Sequence, residues 1–225
     1  MKDADADRRD PAPVVRGTVA VAMDEGDQAL LDAWRAGDAA AGDRLFNRHF
    51  SAVDRFFRHK VGAADIQDLT QRTFMICVER PHGFEGRSSF RTWLLGVANN
   101  VLREHYRAAV RERREDIDEL SVVDLGAGPS TLVGAKEEQR LLLAALRSVP
   151  LECQVILELY FWERLSGPQI AEVLGVGENT ARTRLRRARL RVGEALERLA
   201  SSRALLTSTL ADLESWARSV RPAAV

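Results

Sequence analysis

The stretch from Leu165 to Val192, LSGPQIAEVLGVGENTARTRLRRARLRV, constrains the fold of this 225-residue chain more than any other. Ser166 suits a helix N-cap, and Pro168 falls inside the first turn, where its missing N–H costs nothing. Ile170, Ala171, Val173 and Leu174 give that helix an apolar side. Gly175 accepts the left-handed conformation that stops a helix, and small Ala171 permits a close helix crossing. Gly177 or Asn179 can start the next helix, in which Ala181, Leu185, Ala188 and Val192 recur at inward-facing spacing. Arg182, Arg186 and Arg189 fall on another face, with Thr183 and Arg187 beside them. Thr180 to Arg191 holds six arginines and no acid. An arginine fork grips a phosphate or the O6/N7 edge of guanine. Two helices around a tight turn, the second arginine-rich, follow the logic of a helix-turn-helix whose second helix enters the DNA major groove. The plainer alternative is a solvated basic face on an ordinary helix. The turn grammar and the arginine face occurring together weigh against it.

Composition narrows the rest. Apolar residues make up 45% and charged residues 29%, as in a soluble globular protein, and aromatics are only 6% while good helix formers abound. The net charge is zero, so any grip on nucleic acid must come from local patches. Cys77 and Cys153 lie in apolar helical surroundings and read as buried free thiols rather than a disulfide framework. His49, His59, His82 and His105 are scattered, with no metal-ligand spacing. With no nucleophile–base constellation and no phosphate-cradling glycine loop, neither an enzyme nor a bound cofactor is expected. No apolar run is long enough to cross a membrane and no signal-peptide pattern opens the chain, so a cytoplasmic protein without membrane insertion is expected.

Taken in order, residues 1–26 are Asp-rich with Pro11 and Pro13 and read as a disordered tail. Residues 27–108 read as a four-helix domain. Leu30, Leu31 and Trp34 line a first helix that ends at Gly37. Asp38 caps a second, with Leu45, Phe46, Phe50, Val53, Phe56 and Phe57 on its core face. In the third, over about 64–79, Ile66, Leu69, Phe74, Cys77 and Val78 can face inward, with Asp65, Asp68, Gln71 and Arg72 outward. The fourth, capped by Ser88 or Ser89, carries Phe90, Trp93, Leu94, Val97, Val101 and Leu102 on one face, so that Trp93 reads as core. Periodicity fades over 109–135, a charged and turn-rich linker. It returns over 136–200, which includes the opening stretch. Residues 201–225 read as a C-terminal helical extension, with a helix over about 204–220. The predicted fold class is all-α: two small helical domains joined by a flexible linker, the second a helix-turn-helix domain, with an extra C-terminal helix.

Laid out this way, the chain resembles the sigma-70 family of RNA polymerase sigma factors, and most of all its extracytoplasmic-function group. Three motifs in order carry the resemblance. DIQDLTQRTF (Asp65 to Phe74) is similar to the region that docks on core RNA polymerase. FEGRSSFRTWLLGVANN (Phe84 to Asn100) resembles the segment that opens and reads the −10 promoter element. The helix-turn-helix resembles the one that reads the −35 element. The resemblance implies polymerase contacts at Asp65, Asp68, Leu69, Gln71 and Arg72, the last standing where the family commonly has an acid. It implies −10 contacts at Phe84, Arg87, Ser88, Arg91, Asn100 and Arg103, with Asn100 at a flipped base whose unstacking costs about a few kcal/mol. It implies −35 contacts at Thr180, Arg182, Thr183, Arg186 and Arg187.

The implied function is a promoter-specificity subunit whose partners are core polymerase, promoter DNA and an anti-sigma factor. The two elements lie roughly 50–60 Å apart at about 34 Å per duplex turn. A linker over 109–135 reaches at most roughly 90 Å when extended, so it permits that span without setting it. A second reading is a free-standing helix-turn-helix regulator whose first domain senses a partner or ligand. It would bind duplex DNA without polymerase.

Overall fold

The computed structural model describes residues 25–110, 119–127 and 136–211, and every regular element among them is an α-helix. The tail read over the first residues, to 24, lies outside the described residues, as do 111–118 and 128–135 of the linker and 212–225 of the C-terminal extension.

The first helical group comprises α1 (Glu25–Arg35), α2 (Ala39–Arg58), α3 (Ile66–Glu79) and α4 (Phe90–Val110). Asp38 caps α2 as expected, accepting from the Ala41 N–H at 3.1 Å. Of the two serines before α4, Ser89 is the cap, its Oγ accepting from the Thr92 N–H at 3.1 Å. Leu45, Phe57, Phe90, Leu94, Leu102 and Tyr106 are buried together. Burial contributes about 1.5–3 kcal/mol for each such aliphatic or phenyl side chain. α1 lies close on α2 because position 42 is glycine: a Cβ there would meet the Trp34 ring at 2.5 Å. Two residues expected in this core are instead exposed, Phe50 by 50% and Val78 by 54%. Both line an open groove between α2 and α3, and Phe50 stacks nearly parallel on Phe74 at 6.1 Å.

The second group comprises α5 (Glu137–Ser148), α6 (Leu151–Phe161), α7 (Gly167–Leu174), α8 (Glu178–Leu199) and α9 (Arg203–Ala211). Val155, Ile156, Leu157 and Leu159 of α6 are all buried. Gln154 and Glu158 of the same helix are buried as well, so it needs cover on more than one side. α8 covers one side, and the first helical group covers another. Ser202 Oγ accepts from the Leu205 N–H at 3.1 Å at the start of α9, which lies on α5.

Residues 119–127 belong to the segment expected to be a flexible linker, yet they are docked on the second group. Val122 is buried, Leu120 O accepts from the Leu151 N–H at 2.8 Å, and Ser121 bridges Pro150. Arg147 Nη2 donates to Ala127 O at 2.9 Å. These anchors are mostly backbone groups, so no side-chain period announced them.

The two groups also pack on each other, chiefly α4 on α7. Gly96 lies at the crossing, where an added Cβ would make an ordinary contact with Val173 Cα at 3.7 Å. At the margins the contacts are polar. The Glu163 carboxylate accepts from Arg55 Nε at 2.7 Å, from Arg55 Nη2 at 3.0 Å and from Arg91 Nη2. Lys60 Nζ donates to the Glu158 carboxylate. Arg147 Nη1 and Gln154 Nε2 each donate to His59 O at 3.1 Å.

Gly42→Ala should lower stability by about 1–3 kcal/mol, because the strain of overpacking against Trp34 outweighs the gain in helix propensity; denaturant midpoints check this. The pH dependence also has a definite sign. Burial depresses the His49 pKa below 6.5 against the opposing pull of Asp27, and burial likewise depresses His59 against Glu158. Both rings are then neutral in the fold, and unfolding takes up protons. Their contribution is present above the unfolded value near 6.5 and is lost as pH falls through the lower folded values. Thermal midpoints should drop from pH 7.5 to 5.5, and less steeply in a His49→Gln/His59→Gln variant.

Candidate nucleic-acid interface

The turn between α7 and α8 is built as its sequence suggests. Gln169 Oε1 accepts from the Ser166 N–H at 2.8 Å and from Ser166 Oγ at 2.9 Å, satisfying a group that the helix start leaves open. Gly175 takes φ +66°, and two bonds close the end of α7: Val176 N to Ala171 O at 2.9 Å and Gly175 N to Glu172 O at 3.1 Å. That pair of bonds is the Schellman arrangement for which a left-handed glycine is suited. Gly177, extended at φ −68° and ψ 152°, then starts α8.

The arginines of α8 divide into two sets. Arg184 Nη1 pairs with Glu152 at 2.9 Å, and Arg191 Nη1 lies 3.3 Å from Glu119. Arg189, read from sequence as part of the outer face, lays its guanidinium over the Tyr160 ring at 4.6 Å. These three brace the helix against its own domain. Thr180, Arg182, Thr183, Arg186 and Arg187 are exposed. Thr183 Oγ1 donates to Asn179 O at 2.9 Å, and Arg182 Nη2 lies 2.9 Å from Glu178. The latter pair is largely exposed and contributes at most about 1 kcal/mol, so a phosphate or base edge can displace it. Arg186 and Arg187 have no acidic partner among the described residues.

The residues expected at the −10 element fall into three places. Phe84 is core, with its ring 5.6 Å from Phe90 and 5.7 Å from Trp93. The loop around it is tied down by Arg35, which donates to the carbonyls of Pro81 (3.1 Å) and Phe84. Asn100 is exposed at the rim of a cavity of about 420 Å³ shared with Arg80, Gly83, Trp93 and Val97. Trp93, expected only as core, thus also forms a wall of this cavity. Arg87 is exposed near Glu85 at 3.4 Å, and Arg103 is half-buried. Ser88 and Arg91 lie elsewhere, at the junction with the second group. Ser88 is buried and its Oγ donates to Glu172 at 2.6 Å, while Arg91 is held by Glu163. Along α4, Arg91 and Asn100 are roughly 14 Å apart at 1.5 Å per residue.

On α3, Asp68, Gln71 and Arg72 are exposed and Asp65 is half-buried at the helix start, whereas Leu69 is 2% exposed and supports that face from beneath. Arg72 Nη2 reaches Glu104 of α4 at 2.6 Å. Beside Gln71 opens an apolar groove of about 480 Å³ lined by Phe50, Phe74, Met75 and Val78. Sequence reasoning did not single this groove out. Its trace was an apolar set on α2 and α3 too wide for one inward face.

Comparison with known proteins agrees with both halves. The family profile described as "Sigma-70 region 2" matches residues 45–112, and that described as "Sigma-70, region 4" matches 139–192. The ECF RNA polymerase sigma-E factor of Haemophilus influenzae is 28% identical over 172 residues, covering 72% of this chain and 91% of that protein. That of Escherichia coli K12 is 26% identical, covering 72% and 90%. Among solved structures, CnrH in complex with the cytosolic domain of CnrY matches with a TM-score of 0.57 at 21% identity, covering 78% of this chain and 100% of that one. The sigma factor RpoE with the anti-sigma factor NepR from Bartonella quintana gives 0.55 at 19% identity, covering 69% and 96%. These two likenesses concern the helical fold.

The division of the α8 arginines has a direct check. Arg189→Ala should lower stability by about 1–2 kcal/mol through loss of its ring contacts, whereas Arg186→Ala and Arg187→Ala should each change it by less than about 0.5 kcal/mol in the same denaturation experiment.

Proposed function

The chain belongs to the extracytoplasmic-function group of the sigma-70 family of RNA polymerase sigma factors, and on that premise we propose how its surfaces divide the work of a promoter-specificity subunit. As such a subunit it binds core RNA polymerase, recognises the −35 and −10 elements and helps open the DNA. The finer assignments are these.

Thr180, Arg182, Thr183, Arg186 and Arg187 enter the major groove at the −35 element. The observation that carries this is the exposed half of α8, standing behind a rigid turn with Arg186 and Arg187 unclaimed by any acid among the described residues. Asn100 presents an amide donor and acceptor at the mouth of a cavity large enough for a base. Trp93 walls that cavity, Phe84 holds its loop, and Arg87, Ser88, Arg91 and Arg103 line the strand's path. Polymerase docks on Asp65, Asp68, Gln71 and Arg72 together with the apolar groove beside them, with Leu69 as the support below. A contiguous apolar groove rimmed by polar groups on an otherwise soluble protein marks a protein–protein contact.

The subunit makes and breaks no covalent bond itself; polymerase supplies that chemistry. No described helix is long and apolar enough to cross a membrane, and the chain is proposed to work in the cytoplasm, where its polymerase is. An anti-sigma protein is proposed as its restraint, since the structurally similar sigma factor RpoE was solved with the anti-sigma factor NepR.

Purified core polymerase on pooled genomic fragments should initiate at discrete promoters only when this chain is added. Initiation that is indifferent to the chain would contradict the reading, and tight duplex binding by the chain alone would favour the free-standing regulator. Arg187→Ala should cost about 1–3 kcal/mol of discrimination between the preferred −35 element and its single-base variants if Arg187 reads a base. Equal weakening on every sequence would assign it to phosphate.

A further inference from the structure

The basic face of α8 opens on an acid. Glu178 is the first residue of that helix, and no second carboxylate follows until Glu194. It is exposed, as are Asn179, Thr180, Arg182 and Thr183 behind it. Its Oε1 accepts from Arg182 Nη2 at 2.9 Å, and the two side chains are 50% and 71% exposed. The same oxygen lies beside Gly167 at the start of α7, 3.9 Å from where a Cβ would stand. The carboxylate therefore sits at the mouth of the turn, between the first residues of both helices. In a helix-turn-helix, the N-terminal residues of the second helix are those that reach base edges. A negative charge placed there is opposed by every phosphate that flanks the groove, and it offsets the charge of the first arginine on the reading face.

The two side chains together carry the complement of one base pair. In the major groove, a G·C pair presents two acceptors, N7 and O6 of guanine, and then one donor, the N4 amino group of cytosine. A guanidinium offers only donors and an ionised carboxylate only acceptors. The contact with Glu178 uses one of the five N–H donors of Arg182, and Oε2 of Glu178 is not engaged among the described residues. Side by side they offer donor, donor and acceptor. An A·T pair would set the adenine amino group against the arginine and thymine O4 against the carboxylate. A C·G pair would set the cytosine amino group against the arginine. A phosphate suits the arginine alone and repels the carboxylate, so the same arrangement disfavours sequence-independent binding.

We propose that Glu178 is a base-reading residue of the −35 surface, and that Glu178 and Arg182 recognise one G·C pair as a unit, the arginine on guanine and the carboxylate on the cytosine amino group. The proposal rests on the assignment of α8 to the −35 element and adds the base pair that its first turn selects. Arg182 is thereby a base contact rather than a phosphate contact, and Glu178 keeps it in that role. The acid lies outside the basic run that marks α8, so no count of arginines points to it.

The test uses the full chain assembled with core polymerase. Promoters randomised through the −35 element are sequenced before and after initiation, for wild type, Glu178→Gln and Arg182→Ala. Wild type should prefer G·C over A·T at one pair. Both variants should lower that preference about tenfold at the same pair and leave the other positions unchanged. For Glu178→Gln the reason is that an amide can turn its N–H groups toward thymine O4. An unchanged profile in Glu178→Gln, or relaxation at a different pair from that of Arg182→Ala, overturns the proposal. A second measurement does not depend on initiation. Polymerase carrying Glu178→Ala is bound to duplex of unrelated sequence and titrated with salt. Binding should be at least about threefold tighter than with wild type, and the log–log slope steeper by about one, as Arg182 turns to a phosphate. Unchanged affinity and slope would leave Glu178 as a helix-start acid alone and overturn the proposal. A wild-type profile with no base preference anywhere in the element removes the −35 assignment itself. Clear wild-type preferences that neither variant alters remove the proposal and leave that assignment standing.

Discussion

The carboxylate of Glu163 is the point on which the observed arrangement turns. It sits just after α6, in the connection that leads into the helix-turn-helix, and it is held by one arginine from α2 and another from α4. Taking a carboxylate out of water is unfavourable by several kcal/mol unless its lone pairs are matched by well-placed donors. Here Arg55 gives two hydrogen bonds and Arg91 a further contact, and Arg91 Nη1 also donates to the Glu163 backbone carbonyl at 3.1 Å. A buried ion cluster of this kind adds little net stability, but it is intolerant of rearrangement, because each group alone would be stranded. It therefore sets where the two helical groups meet more sharply than apolar packing could.

That junction connects the fold to the function through α6. Nearly all of it is buried: α8 covers one side, and on another Gln154 and Glu158 meet His59 and Lys60 of the first group. α7 packs against α4 beside it, with Gly96 at the crossing. The helix-turn-helix is consequently presented with its recognition helix outward and its first helix against the partner domain. Three of the seven arginines on α8 hold that helix in place, through Glu152, Glu119 and the Tyr160 ring. Arg182, Arg186 and Arg187 remain exposed. A basic helix thus divides its charge between bracing and reading, which a count of arginines does not reveal.

Much of this was legible from local pattern. The cap at Asp38, the left-handed stop at Gly175 and the start of α8 at Gly177 each follow from chemistry within a few residues, and each stands where it was expected. The helical periods placed α1 to α4 and the pair α7–α8 close to where they stand. What local pattern could not supply was anything decided between distant segments. Arg189 and Arg186 look alike on a helical projection, and only the position of Tyr160 separates them. Phe50 has the spacing of a core residue, yet it lines an open groove with residues of α3 and is exposed. Residues 119–127 have no period because their anchors are backbone groups, and so they looked like free linker. The meeting of Glu163 with Arg55 spans 108 positions and has no local trace at all.

The proposed promoter-specificity role requires the two helical groups, which pack on each other here, to reach elements roughly 50–60 Å apart. The most direct test is the distance between dyes at Ser51→Cys on α2 and Glu197→Cys on α8, both exposed, measured by single-molecule energy transfer. The native thiols will not compete: burial pushes Cys77 up to about 12 and raises Cys153 as well. The account predicts a single short distance for the free chain and a distinctly longer one once core polymerase and promoter DNA are added. The same short distance in both samples would contradict it.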